Sequence, residues 1–360
     1  MTNQTTQESV SLAIINYNGR ETLAKTINSI LAQRIRISDI RLVDNNSTDG
    51  SIEFVAAQFP TVALTKLAAN HGPNPARNEA LRLAQHDCVL IMDNDIVLAP
   101  DYVARLLQAH EDDQMAGAIT GQIRFHDRPD IVQYNGTYIH YAGEIMLNRA
   151  ESETPLQVGC VSAGAVLQDR RKVFEVGGFD EDFFIGWEDG DLTFRLALAG
   201  YPCYTVSKAV CFHISRPRGQ KWIRFQTRNR WWFILKNYDA RTFWLALPAI
   251  VLLQTCAFIF FAVKGQAVAF GRGLWDALKS LPLVLRKRRA VQALKRVGDG
   301  LLLRGEWIDL PIPVGEKSMR YRLVGDIFSG LFRLYWNLIR GLLKKAEGRR
   351  QKAEDGIVRN

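Results

Sequence analysis

The chain has 360 residues, 47% of them apolar and 23% charged, enough to bury the core of one large domain or two ordinary ones. Its five cysteines (Cys88, Cys160, Cys203, Cys211, Cys256) are odd in number and form no C-x-x-C pair, which argues against a disulfide framework and a zinc site and fits a reducing compartment. The net charge of +9 conceals an asymmetry: residues 1–215 hold 17 Lys and Arg against 27 Asp and Glu, and residues 216–360 hold 29 against 10.

Residues 1–9 are polar, with no basic segment leading into an apolar one, so a disordered start without a secretory signal is expected. Short apolar runs at 10–16, 40–44, 61–67 and 88–92 alternate with helical spacing at 20–33, 51–58 and 75–86, the pattern of βαβ units in a mostly parallel sheet. Beyond them the spacing predicts a helix over 101–110, strands near 116–123, 131–141 and 158–167, a helix near 190–199 and a strand over 203–213. There is no internal repeat and no low-complexity tract.

The early strands end in loops rich in Asn, Asp and Gly, which must crowd the carboxyl edge where open α/β sheets bind ligands. Asp93-Asn94-Asp95 directly follows the apolar run 88–92. Two such close carboxylates repel unless a cation bridges them to a diphosphate, although a polar strand end or turn is the plainer account. Asn16-Tyr17-Asn18-Gly19-Arg20 closes the first strand, and Asp44-Asn45-Asn46-Ser47-Thr48-Asp49-Gly50 closes the second. The second loop also reads as an ordinary helix entry capped by Ser47, Thr48 or Asp49; Asp44 lies before the cap, need not serve it, and could accept the imide N–H of uracil or thymine.

A third loop, from Asn70 to Asn78, places Pro75 in a first helical turn and Arg77 where it could pair with an acid or a phosphate near Asp93. Farther on, Glu188, Asp189 and Asp191 precede a helix, a position the helix dipole alone would favour. Phe184 and Trp187 beside these acids would lower hydration and raise a carboxylate pKa toward a general-base value. His213 ends an apolar strand, either as hydrogen-bonded structure or, beside carboxylates, as an imidazole ligand favouring Mn²⁺ over Mg²⁺.

The ordered set Ile14-Ile15-Asn16-Tyr17-Asn18, Asp44 to Ser51, Asn70-x-Gly72-x4-Arg77-Asn78, Asp93-Asn94-Asp95, Gly177-Gly178-Phe179-Asp180-Glu181 and Glu188-Asp189-x-Asp191-Leu192 resembles family 2 glycosyltransferases, most nearly the bacterial rhamnosyltransferase-like group. The resemblance covers about residues 10–215. It implies an α/β GT-A fold, a Rossmann-like, mostly parallel mixed sheet flanked by helices, with a nucleotide half over about 10–95 and an acceptor half over about 96–215. It further implies inverting transfer of a hexosyl or deoxyhexosyl group from a UDP- or dTDP-sugar to a hydroxyl of a lipid-linked or polysaccharide acceptor in cell-envelope glycan synthesis, with Mn²⁺ or Mg²⁺ as cofactor. By the same resemblance Asp189 is the catalytic base and Glu188 its neighbour on sugar or acceptor. Asn16, Tyr17, Asn18, Asp44, Asn46, Asn70, Arg77, Asp93, Trp187 and Asp191 would hold the nucleotide sugar, and Asp95, Asp93 and His213 the metal. Pro73-Asn74-Pro75 and the bulky Trp187 depart from the family pattern.

Residues 216–360 predict a basic, helical, membrane-associated region. Its stretch 243–263 has no charge and reaches the roughly 20 residues that cross a bilayer core, though Pro248 and Gln254 interrupt it. Residues 264–360 hold 21 Lys and Arg against 9 Asp and Glu, which keeps them on the cytoplasmic side. Monotopic or re-entrant attachment at the cytoplasmic face of the bacterial inner membrane reconciles both, with a transmembrane segment at 243–263 as the other option. Asp326, Arg333 and Arg340 form a stripe along 323–343 that suits an interfacial helix, and Arg286-Lys287-Arg288-Arg289, Lys295 and Arg296 would face anionic headgroups. Two other functions stay open: a catalytically silent GT-A binding module, and a nucleic-acid binder using the basic region with Trp222, Phe225, Trp231 and Trp232. The apolar stretch weighs against the latter, and the absence of G-x-G-x-x-G in the first turn weighs against a dehydrogenase.

Overall fold

A computed structural model describes residues 10–162, 164–215, 221–306, 308 and 325–343. The chain forms two compact units. The first takes the described residues before Tyr138, Leu147–Ala197 and those from Tyr201 to Ser215; the second takes Tyr138–Met146, Leu198–Gly200 and the described residues from Lys221 onward. The expected disordered start and the expected boundary at 215/216 touch residues outside those described.

In chain order the elements are β1 (Val10–Asn16), α1 (Leu23–Leu31), β2 (Asp39–Asp44), α2 (Ser51–Gln58), β3 (Ala63–Lys66), α3 (Pro73–Leu83), β4 (Cys88–Asp93), β5 (Ile96–Leu98), α4 (Tyr102–Asp112), β6 (Ala118–Phe125), β7 (Val132–Tyr134), β8 (Thr137–His140), β9 (Glu144–Leu147), β10 (Leu156–Val158), β11 (Ala165–Asp169), α5 (Arg170–Glu175), α6 (Glu188–Leu198) and β12 (Cys203–His213). The main sheet runs β10-β12-β6-β11-β4-β1-β2-β3, with β5 on β12 and β7 on β6. Strands β4, β1, β2 and β3 are parallel, while β11 is antiparallel to both of its neighbours. This is the mixed, helix-flanked α/β sheet of a GT-A fold.

β1 and β4 read as near-continuous apolar runs because both their faces are covered. Leu12, Ile14, Leu42, Leu90 and Met92 are fully buried with Leu23 and Ile27 of α1, each such side chain contributing about 1.5–3 kcal/mol. The register sets Asn16 beside Asp44 and Ile15 beside Asp93, so three strands end at one level and deliver their polar loops to one edge.

Three expectations change. The strand foreseen over 131–141 is two, because Gly136 at φ 75° breaks it between β7 and β8. The strand near 158–167 is likewise two, β10 and β11. Helix α6 starts at Glu188, so Glu188, Asp189 and Asp191 form its first turn instead of preceding it.

The second unit contains α7 (Lys221–Asn237), α8 (Ala240–Val263), α9 (Ala267–Lys279), α10 (Leu281–Ala293), α11 (Asp299–Leu302) and α12, helical over residues 325–343. α8 continues through Pro248, which removes only one backbone bond, and Gln254 accepts a bond from Arg230. It is long and apolar enough to cross a membrane and is mostly exposed. α12 buries Phe332, Trp336 and Ile339, with the Trp336 ring stacked 4.9 Å from Tyr141, and exposes Ile327, Leu331, Leu334 and Leu338. Two cations expected at headgroups turn inward instead. Arg288 donates to the Leu235 carbonyl at 2.6 Å, at the end of α7, and Lys295 is paired with Asp239 and Asp299. Trp232 is buried and donates to Ser280 at 2.7 Å, which removes it from any base-stacking platform.

Candidate active site

The site is built at the carboxyl edge of the first unit. Asp93 is the last residue of β4, and Asp95 lies between β4 and β5. Arg77 projects from α3, with its side chain 5% exposed; Nη2 lies 3.2 Å from Asp93 Oδ1, and Nη1 lies 3.6 Å from Glu188 Oε1. One guanidinium therefore holds the strand-end acid and the first residue of α6 at one place. Burial, reinforced by the Asp189 charge and opposed by Arg77, pushes the Glu188 carboxyl up to about 7. Its Oε2 is buried and takes no hydrogen bond from the protein. The raised carboxyl foreseen among these acids is thus Glu188. Asp189 is half-buried, and its Oδ1 accepts from the Gly190 amide at 2.8 Å.

The segment leading into Glu188 is clamped by α3. Asn74 donates to the Asp180 carbonyl at 2.7 Å, and Asn78 donates to the Phe179 carbonyl at 2.9 Å and to Glu181 at 2.7 Å while accepting from the Phe179 amide at 2.8 Å. Gly72 is required where the third loop meets this segment: a Cβ there would lie 2.4 Å from the Phe184 carbonyl oxygen, and its φ is 91°. Trp187 adopts φ 69°, a costly conformation for a bulky residue, immediately before the acids.

The first two loops interlock. Asn16 is fully buried, donates to Asp44 at 2.6 Å and accepts from Asn94 at 2.6 Å. Asn18 Oδ1 accepts from the Thr48 amide at 2.9 Å, and its own amide donates to Ser47 Oγ at 2.8 Å. Asn18 and Asn46 hold positive φ at 49° and 61°, tolerable for Asn. Tyr17 is 49% exposed beside them.

Several expected roles change. Asp44 is fully buried and accepts from the Ser47 amide and hydroxyl, so it braces the turn instead of standing free of it. Asp191, expected on the nucleotide sugar, is fully buried and paired with Arg195 at 2.9 Å; Arg195 in turn holds the Val176 and Gly178 carbonyls. Trp187 is 3% exposed and serves as packing. Asn70 uses its side-chain oxygen to accept from the Gly72 amide at 2.9 Å, shaping the third loop. Of the three expected metal ligands, Asp95 Oδ2 and His213 Nε2 lie 3.5 Å apart, whereas Asp93 is engaged by Arg77. Among the described residues no three His, Cys, Asp or Glu side chains converge as a metal-holding group.

Asn74 and Asn78, quoted from the sequence only as loop and motif residues, were given no role there. Their signal was present, since Asn74, Arg77 and Asn78 are spaced i, i+3, i+4 and share one helix face. Tyr134 gave no such signal. Its hydroxyl donates to Ser162 at 2.8 Å and is pushed up by burial, with smaller contributions from the charges of Asp189 and Asp93.

Residues 11–171 match the profile of Glycosyl transferase family 2. The chain is 25% identical over 227 residues to the poly-beta-1,6-N-acetyl-D-glucosamine synthase of Staphylococcus aureus (strain COL), covering 62% of this chain and 54% of that protein. The chain thus spans about half the length of the curated relatives it matches. Among solved structures it resembles GalNAc-T7 with UDP, GalNAc and Mn²⁺ (TM-score 0.55, 16% identity, 66% of this chain and 49% of that one). It also resembles the mannosyltransferase PcManGT from Pyrobaculum calidifontis with GDP-Man and Mn²⁺ (TM-score 0.50, 20% identity, 81% and 86%). Such identities speak for the fold alone. Sequence profile and sheet order agree that residues 11–171, a little under half of the chain, form a domain similar to the family 2 glycosyltransferases, with a GT-A fold.

Proposed function

We propose that this protein is an inverting glycosyltransferase that moves a sugar from a nucleoside-diphosphate donor, UDP- or dTDP-linked, to a hydroxyl of a lipid-linked or polysaccharide acceptor in cell-envelope glycan synthesis. What supports it is the position of Arg77, which joins the Asp93 end of β4 to the Glu188-Asp189 turn of α6. Asp189 accepts the acceptor's hydroxyl proton as that oxygen attacks the anomeric carbon. The bond from that carbon to the diphosphate oxygen breaks, and the configuration inverts. Glu188, half-ionised near neutrality with an unused Oε2, holds a sugar or acceptor hydroxyl. Exposed Tyr17 packs on the base, above a turn braced by Asp44 and Ser47.

A divalent cation fits the residues present, because Asp95 and His213 offer one carboxylate and one imidazole that would hold it. When bound, such a cation would neutralise the charge that develops on the departing diphosphate. Arg77 adds fixed positive charge on the same side.

The exposed apolar surfaces of α8 and α12, with Arg286 and Arg289 exposed on α10, support attachment to an anionic membrane at the cytoplasmic face. Flotation with anionic vesicles, and protection of a C-terminal tag from protease in sealed vesicles, test this part; a tag found outside the cytoplasm would overturn it. The activity is tested by screening nucleotide sugars for metal-dependent release of the nucleoside diphosphate, with and without membrane extract. Donor binding without turnover for every donor and acceptor would favour a silent binding module.

A further inference from the structure

We propose that Gln133 is a positioning residue that holds the His213 ring in its Nδ1–H tautomer and leaves the Nε2 lone pair facing Asp95. The Gln133 side-chain oxygen lies 3.0 Å from His213 Nδ1, an ordinary hydrogen-bond length. An amide oxygen only accepts, so the proton of this bond belongs to Nδ1. On the other side of the ring, Nε2 is 3.5 Å from Asp95 Oδ2, too far to compete as a strong Nε2–H donor. The Ser215 hydroxyl, 3.2 Å from Nδ1, can share the same proton as a second acceptor.

The backbone is shaped for this contact. β7 pairs with β6 through Tyr134 opposite Ile123 and Val132 opposite Arg124, so Gln133 is an additional residue on one strand, a β-bulge. β6 in turn pairs with β12 through Phe125 opposite His213. Bulges re-aim side chains beside active sites, and here the re-aimed residue meets the imidazole across the sheet. Outer partners of this kind set which ring nitrogen is free to bind a metal. The purpose of the free Nε2, to hold a cation with Asp95, rests on the glycosyltransferase reading; the tautomer itself does not.

The test uses the full chain labelled with ¹⁵N-histidine and free of metal, at a pH where the rings are neutral, with the His213 signals assigned by their loss in H213Q. The expected spectrum shows a protonated Nδ1 and an unprotonated Nε2. In Q133L that preference is lost, and affinity for Mn²⁺ alone, followed by electron paramagnetic resonance, falls about 10- to 100-fold. Q133E, whose carboxylate still accepts from Nδ1, retains both properties. An Nε2–H tautomer in the wild-type chain overturns the proposal, as does a Q133L variant unchanged in spectrum and affinity. A wild-type Nδ1–H tautomer that Q133L loses, without Mn²⁺ binding, upholds Gln133 as positioning residue and overturns the cation role of the site. Should Q133L fail to fold, Q133A takes its place, and an Nε2–H tautomer in the wild-type chain still overturns the proposal.

Discussion

Arg77 on α3 reaches Glu188 in the first turn of α6 at 3.6 Å, and the same guanidinium holds Asp93 at 3.2 Å. Removing it strands two acids at once. R77A should destabilise the fold toward the lower end of the about 3–5 kcal/mol seen for broken buried pairs, because Asp93 is partly open to water. R77K keeps the charge but not the two-armed fork and should recover only part of the loss. Equilibrium unfolding in urea measures both, and an R77A midpoint equal to wild type would contradict the bridging role.

Glu188 makes stability depend on pH in a defined direction. Its folded carboxyl titrates near about 7, raised by burial and by Asp189 from an ordinary 4.5, so the folded state binds this proton more tightly than the unfolded chain. The Glu188 contribution is therefore most favourable below about 4.5, declines as pH rises toward about 7 and levels off above it. E188Q should remove that decline, as read from unfolding midpoints across this window. An unchanged slope in E188Q would assign the pH dependence elsewhere.

Asp189 and Asp95 should fail differently. D189N should keep donor affinity and lose about 10²- to 10⁴-fold in turnover, the usual contribution of a positioned base. D95A should weaken metal and donor together. Steady-state rates paired with donor titration separate the two, and a D189N enzyme at near wild-type rate would move the base to another residue.

Asn78 tests the clamp between α3 and the segment before Glu188. N78A leaves the buried Phe179 amide and carbonyl without their partner, at a cost of about 1–3 kcal/mol for unsatisfied groups. Amide hydrogen exchange should rise over residues 177–187 while β1 and β4 stay protected. Exchange unchanged in that segment would mean the clamp is redundant with Asn74 and Arg195.

The alternation of strands and helices, the polar loops at strand ends and the acid pairs were legible in the sequence because they are local. A buried strand must be apolar along its length, as in 10–16 and 88–92, and a loop at a sheet edge favours Asn, Asp and Gly whatever it binds. Gly136 splitting one expected strand was less legible, since a glycine signals freedom to turn but not that the turn is taken.

What the sequence by itself determined was the fold class, the edge at which the site stands and the set of polar groups available there. Only the tertiary structure decided which of those groups stay open at that edge and which are consumed as supports. Asp44, Asp93, Asp189 and Asp191 are chemically alike in the sequence, yet one braces a turn, one is shared with Arg77, one stands at the head of α6 and one is sealed against Arg195. The physical reason is that a carboxylate's role depends on its solvation and its nearest charge. Here those partners come from distant elements, such as Arg77 for both Asp93 and Glu188, which no local pattern brings together.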